Sequence, residues 1–263
     1  MEIALCYPYG MPDIDRLITD TGGFWHADTI GVSQAARPLV RLSNSYGEVP
    51  GSRPGCYFIA RQHSGETSGS WVLDGLLRQL ASYGSDAPII WAVPFANIDG
   101  VEQGDYGKDN FPYDLNRAWD ASNPMRHEVM VIQRDMYRWK ARCQPLIALD
   151  FHAPGACETT GVYCYLPRGE MDRNFAVAIN GWAERLKLAI GDMAAADFAR
   201  IGNYPSRWET PHFNNFCTAK LGMHSLSLET PYCRINEIVL QREHYQRIGA
   251  NIADSLVGKI KEE

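Results

Sequence analysis

The run Tyr57-Phe58-Ile59-Ala60-Arg61-Gln62-His63-Ser64-Gly65-Glu66 closes an apolar segment with a histidine and a glutamate three positions apart. Imidazole nitrogen and carboxylate oxygen are zinc ligand types, and a catalytic zinc site takes three protein ligands while keeping a position open. Alone, an H-x-x-E pair is more often the mark of a solvated loop, so the chemistry depends on a third ligand. Pro145-Leu146-Ile147-Ala148-Leu149-Asp150-Phe151-His152 repeats the device, an apolar run closing in a histidine, and Ser225-Leu226-Ser227-Leu228-Glu229 closes in a glutamate. His63, Glu66 and His152 thus make an open, catalytic type of set for one Zn²⁺ ion, with Glu229 as a fourth polar group. Two imidazoles and one carboxylate leave the ion one net positive charge, which can acidify water toward pH 7 and polarise a carbonyl oxygen. Hydrolysis follows if a base takes the proton of that water.

The elements that must position these residues are strands alternating with helices. Pro38 to Leu42, Cys56 to Ala60, Ile89 to Val93, Pro145 to His152, Val162 to Leu166 and Ser225 to Glu229 read as strands. Trp71, Val72, Leu76, Leu77 and Leu80 recur at helical spacing between Ser68 or Ser70 and Gly84. A second helix follows Asn123-Pro124, with Asn123 as cap and Pro124 in the first turn. A third carries Phe175, Ile179, Trp182, Leu186 and Ile190 and closes at Gly191, and a last one runs from about Ile238 to Ile260. Pro94 to Trp119 reads as a long functional loop, and a short helical turn is expected over Asp13 to Ile18. The pattern predicts an α/β fold, a single-domain mixed, mostly parallel sheet with helices on both faces. In such folds ligands gather at the carboxyl ends of strands, where His63, Glu66, His152 and Glu229 lie.

Composition sets the outer bounds. A chain of 263 residues, 45% hydrophobic and 21% charged, suits one large soluble domain. A formal charge of -6 argues against a nucleic-acid partner. Seven cysteines without a C-x-x-C pair favour reduced, mostly buried thiols and a cytoplasmic setting. The N-terminus lacks the pattern of a secretory signal, and no apolar run is long enough for a membrane span.

The ordered set Ile30-Gly31-Val32-Ser33, His63-Ser64-Gly65-Glu66, Asn97-Ile98-Asp99-Gly100-Val101, Asp114-Leu115-Asn116-Arg117, Asp150-Phe151-His152 and Leu228-Glu229 resembles the zinc carboxypeptidase superfamily, the M14 metallopeptidases. The resemblance implies a catalytic domain over 30–263, of phosphorylase/hydrolase-like architecture, behind a lead-in segment over 1–29. It implies that His63, Glu66 and His152 hold zinc and that Glu229 is the general base that later returns its proton to the leaving amine. Asp114 is expected to accept the other N–H of a ligand histidine. Asn116 and Arg117 are expected to hold the free carboxylate of a peptide or small amide substrate. A mobile tyrosine before the base is expected at Tyr204, with Arg207, Lys220 or neither lining the side-chain pocket. Asp99 reads as a turn residue, and His212, His224 and His244 as structural or surface residues.

Two departures stand out. Many secreted digestive-type relatives carry an arginine where this chain has Gly65, so the chain is closer to the cytosolic carboxypeptidase-like branch. The arginine those relatives use to polarise the scissile carbonyl has no counterpart between Val101 and Asp114, where Lys108 is the nearest candidate cation. The leading expectation is therefore a zinc metallocarboxypeptidase. One alternative is a deacylase of small N-acyl amino acids, of the aspartoacylase or succinylglutamate desuccinylase type, although those relatives add a C-terminal β-domain and this chain ends in a helical pattern. A non-catalytic binding protein on the same fold is the other, and it would have no need of Glu229.

Overall fold

Strand β3 (Pro54–Ala60) shows how the sheet is built. Gly55 to Ala60 are all buried, as parallel neighbours on both edges and cover on both faces require. Cys56, Phe58 and Ala60 enter one apolar cluster and Tyr57 and Ile59 the other, following the two-residue alternation of a strand. The computed structural model describes residues 4–108, 113–123, 125–202, 208 and 211–262.

Among the described residues the other strands of this sheet are β1 (His26–Val32), β2 (Pro38–Ser43), β4 (Ile89–Val93), β5 (Gln144–His152), β6 (Val162–Tyr165), β7 (Ala194–Arg200) and β8 (Ser225–Glu229). They lie in the order β1-β2-β4-β3-β5-β8-β6-β7. The central run β4-β3-β5-β8 is parallel throughout, β1-β2, β2-β4 and β6-β8 pair antiparallel, and β6-β7 pair parallel. Helices α2 (Thr67–Ser82), α5 (Arg173–Ile190) and α7 (Arg242–Glu262) pack with α1 (Met11–Asp20) on one face. Helices α4 (His127–Lys140) and α6 (Phe213–Leu221) cover the other. The mixed sheet with helices on both faces is the architecture expected from the sequence. No helix among the described residues is long and apolar enough to cross a membrane.

Register brings the strand ends together. His152 is paired with Glu229 across β5 and β8, and Phe151 with Ala60 across β5 and β3. Three parallel strands therefore present their carboxyl ends at one level.

Several local expectations are corrected. The stretch expected as a single loop contains α3 (Ile98–Gln103) and a 3₁₀ turn over Leu115–Arg117. Asn123 does not cap α4, whose N-cap is Arg126; the Arg126 guanidinium instead meets Glu128 and the Tyr113 carbonyl, and Pro124 lies outside the described residues. Helix α7 starts at Arg242, because Ile238–Val239 forms a short strand with Arg234–Ile235. Asp99 sits in the first turn of α3, where it accepts hydrogen bonds from Ser33 Oγ (2.6 Å), Ala35 N (3.0 Å) and Arg37 (2.8 Å). Two of the motifs that carried the resemblance are thus tied to each other. Of the cysteines, Cys157 and Cys233 are exposed and the other five buried, all as free thiols.

Candidate metal centre and its cavity

The H-x-x-E stretch is shaped by the residue that follows β3. Arg61 adopts φ 60°, a left-handed conformation that a non-glycine residue takes at a cost of about 1–2 kcal/mol. Its buried guanidinium donates to the Ser64 carbonyl (2.6 Å), the Tyr9 carbonyl (3.0 Å) and Ser70 Oγ (3.3 Å), which clamps the turn and fixes the start of α2. Glu66 is the N-cap of that helix. Its carboxylate turns inward to the histidines, where the positive end of the helix dipole favours it.

Nitrogen and oxygen donors converge there. His63 Nδ1 faces Glu66 Oε1 at 3.0 Å, and His152 Nδ1 faces Glu66 Oε2 at 2.7 Å. One donor atom from each of His63, Glu66 and His152 lies within 4.8 Å of the others, so the three could hold one metal ion, and the donor types suit zinc. The outer ring nitrogens also meet carboxylates. His63 Nε2 lies 3.1 Å from Asp114 Oδ1, the contact expected of Asp114. His152 Nε2 lies 2.7 Å from Asp150 Oδ2, a partner for which no residue was nominated from the sequence. Burial disfavours charge on both rings, but the carboxylates outweigh it: Glu66 and Asp114 hold His63 above its ordinary value, and Asp150 and Glu66 hold His152 well above it. Glu66, despite burial, is held well below the ordinary carboxylate range by the two histidines.

A cavity of about 500 Å³ opens beside this cluster, lined among others by His63, Lys108, Asp114, Asn116, Arg117, Tyr163, Arg168, His212 and Glu229. Glu229 Oε2 is buried with no hydrogen-bond partner. Burial, with the Glu66 carboxylate behind it, pushes Glu229 up to about 7 against the pull of His152, Lys108 and His63. Lys108 Nζ reaches Glu66 Oε1 at 3.2 Å, and although burial opposes its charge, Glu66 and the neighbouring acidic groups hold it above its usual value. Asn116 lines the cavity but also places Nδ2 3.1 Å from His152 Nε2, while its Oδ1 accepts from Phe213 N at 3.3 Å. Arg117 lines the cavity with its Nη1 donating to the Asn116 carbonyl at 3.0 Å.

Tyr204 and Arg207 lie outside the described residues. Lys220 is exposed at the end of α6 and is not part of the cavity wall; Arg168 is. His212 differs from expectation too. It lines the cavity, and burial together with Arg117 and Arg168 depresses it to about 3, so it is a neutral group there. Neither Arg168 nor His212 sits in a pattern that periodicity or a short motif would reveal.

The zinc carboxypeptidase family model matches residues 13–144, half of the chain. The chain belongs to the zinc carboxypeptidase family. Among curated relatives, mouse cytosolic carboxypeptidase 1 is 33% identical over 122 residues, covering 43% of this chain and 10% of the relative. Cytosolic carboxypeptidase 6 of Caenorhabditis elegans is 25% identical over 168 residues, 58% of this chain and 37% of the relative. The matched stretch is thus only a tenth of the length of cytosolic carboxypeptidase 1. Among solved structures, a metallo-carboxypeptidase from Burkholderia cenocepacia superposes with TM-score 0.77 at 19% identity, over 98% of this chain and 71% of that one. A Pseudomonas aeruginosa metallo-carboxypeptidase in complex with (2-guanidinoethylmercapto)succinic acid gives TM-score 0.73 at 21% identity, over 98% and 71%. These two likenesses establish the zinc carboxypeptidase fold.

Within that family's fold, the departure at Gly65 has a steric cause. A Cβ on Gly65 would lie 2.9 Å from the Tyr106 ring and 3.1 Å from Tyr106 Cα, and Gly65 N donates to the Tyr106 carbonyl at 2.8 Å. The stretch from Asp105 to Lys108 lies directly on the H-x-x-E turn, leaving no space for an arginine. Gly107 is the other half of the contact, at φ 99° and with a Cβ position 2.4 Å from Ser64 N. This apposition of two backbones delivers Lys108 to Glu66. Gly107→Ala should accordingly destabilise the protein by about 1–3 kcal/mol from backbone strain and weaken zinc retention. Thermal denaturation with and without chelator checks both; a variant as stable and as metal-retentive as the parent would show that the apposition is dispensable.

Proposed function

We propose that this chain is a zinc-dependent hydrolase of the carboxypeptidase type, cleaving the terminal amide bond of a substrate that carries a free carboxylate. The observation that carries the reading is Glu229 Oε2, buried and without a partner on the wall of the cavity beside the His63, Glu66 and His152 set. A buried acceptor left unsatisfied is costly, which supports Glu229 as a group kept to receive a proton.

In this reading His63, Glu66 and His152 hold one zinc ion. Zinc held there supplies Lewis-acid chemistry, acidifying water and polarising a carbonyl. Glu229 takes the proton of the attacking water and gives it to the leaving nitrogen as the C–N bond breaks, so that the group departs as a neutral amine. Asp114 keeps the His63 ring turned. Arg117, with Asn116 beside it, receives the substrate carboxylate on the cavity wall, a task suited to a planar guanidinium. Lys108 is the cation available to the developing oxyanion. The setting we propose is cytoplasmic, consistent with the chain's free thiols.

The test uses zinc-loaded protein, a panel of peptides differing at the C-terminal residue, and N-acyl amino acids as a parallel panel. Turnover of peptides with free C-termini is the expected result. Turnover of the acyl amino acids alone would replace the peptidase reading by the deacylase one, and turnover of neither would leave a binding protein. For active substrates, Lys108→Met should lower kcat by about 10²–10³-fold with KM nearly unchanged, since an oxyanion donor acts in the transition state. A rise in KM with kcat unchanged would assign Lys108 to substrate binding instead.

A further inference from the structure

We infer that Asp150 is a positioning residue for His152, holding the ring in the tautomer and orientation in which Nδ1 can ligate. The inference rests on the zinc-site reading above and adds to it a role for Asp150, which the Asp150-Phe151-His152 motif contains but to which the resemblance assigns none.

The geometry begins with the ring. His152 Nδ1 points at Glu66, so for that nitrogen to offer a lone pair the ring proton must sit on Nε2. Asp150 Oδ2 at 2.7 Å and Asn116 Nδ2 at 3.1 Å both face Nε2; of these only the carboxylate can accept the hydrogen bond of a proton on Nε2, and it is the nearer. The same oxygen accepts from Gln62 Nε2 at 2.7 Å and from Ser227 Oγ at 3.1 Å. Gln62 is itself fixed, because Trp119 Nε1 donates to its Oε1 at 2.6 Å. Asp150 and Gln62 are fully buried, so no solvent competes for these bonds. A carboxylate held by two donors beyond the histidine cannot swing away and take the ring with it.

The arrangement also differs from that on the other ligand. Asp114 stands farther from His63 Nε2, at 3.1 Å, accepts one further bond from Asn116 N, and keeps slight exposure. Asp150 is thus the tighter of the two anchors. Gln62 lies next to His63 in the chain, so the turn that sets one ligand also supplies the amide that orients the anchor of the other.

Zinc affinity of the full chain, measured by competition with a chromophoric chelator, tests the inference. The proteins are the parent, Asp150→Asn, Asp114→Asn and His152→Ala. The parent should bind one zinc and His152→Ala should lose it. Asp150→Asn should bind about 10–100-fold more weakly than the parent and more weakly than Asp114→Asn, with the melting temperature of its metal-free form little changed. Parent-like affinity in Asp150→Asn, with or without lost thermal stability, marks Asp150 as merely structural and overturns the inference while leaving the zinc site standing. A parent that takes up no zinc overturns the zinc-site reading itself. Should Asp150→Asn fail to fold, long-range ¹⁵N–¹H correlation of the zinc-loaded parent decides. His152 should appear as the Nε2–H tautomer with a slowly exchanging proton, and an Nδ1–H tautomer or a rapidly exchanging proton overturns the inference.

Discussion

Glu229→Gln should keep its zinc and lower kcat/KM on every cleaved peptide by about 10²–10⁴-fold, the range supplied by a positioned general base. The substitution is nearly isosteric and leaves Asp150, His152 and the β5-β8 register untouched, so a large loss would trace to the missing proton acceptor. The pH dependence supplies a second reading. A protonated Glu229 cannot accept a proton, so kcat/KM of the parent should fall as pH drops through its pKa. Burial and Glu66 push that group up to about 7, while Lys108 is among the cations pulling it back. In zinc-loaded protein the ion's own charge pulls in the same direction as Lys108. Removing Lys108 should therefore shift the acid limb of the profile to higher pH, measurable on the residual activity of Lys108→Met. Undiminished hydrolysis by Glu229→Gln would remove Glu229 from the chemistry, and an acid limb that stays in place would separate Lys108 from it electrostatically.

His152→Ala should abolish both stoichiometric zinc binding and hydrolysis, because it takes one of the three proposed ligands from a buried set and leaves Asp150 without the ring it faces. Zinc loading of the parent should also release protons. His63 and His152 both sit above the ordinary histidine range, His152 well above it, through the carboxylates around them. Metal ligation requires neutral imidazole. Protons should therefore leave as the ion binds, and apparent affinity should weaken as pH falls. Calorimetry in buffers of different ionisation enthalpy counts them. Release of no protons would mean that the rings are already neutral, and full zinc occupancy in His152→Ala would move the metal elsewhere.

The strand ends were legible because apolar runs in central parallel strands are unambiguous and a polar residue at their close is conspicuous. His63, Glu66, His152 and Glu229 were read that way, and the structure brings them together through a register that sequence does not display. Edge elements were not legible. In β7 only Ala195 and Phe198 are buried, too sparse a pattern to mark a strand, and α6 carries Asn214 and Asn215, which bond to the Tyr165 and Arg168 carbonyls across the fold. The Asn123 cap was a sound local signal overruled by a tertiary one, since Glu128 is occupied by Gln34 N and Arg126. The groups around the ligands escaped for the same reason. Asp150, Gln62, Trp119 and Ser227 become partners only once β3, β5 and β8 lie side by side.

The contact between Gly65 and the stretch from Asp105 to Lys108 also fixes a length. A surface connection ordinarily absorbs an extra residue for little free energy. One residue added between Gly104 and Lys108 could carry the ammonium of Lys108 as far as about 3.5 Å along the chain, beyond reach of Glu66, and would bring a side chain against Ser64 where only a hydrogen now fits. Insertions and deletions that the outer turns of this protein can accommodate are therefore closed to this one, even though it belongs to neither a strand nor a helix.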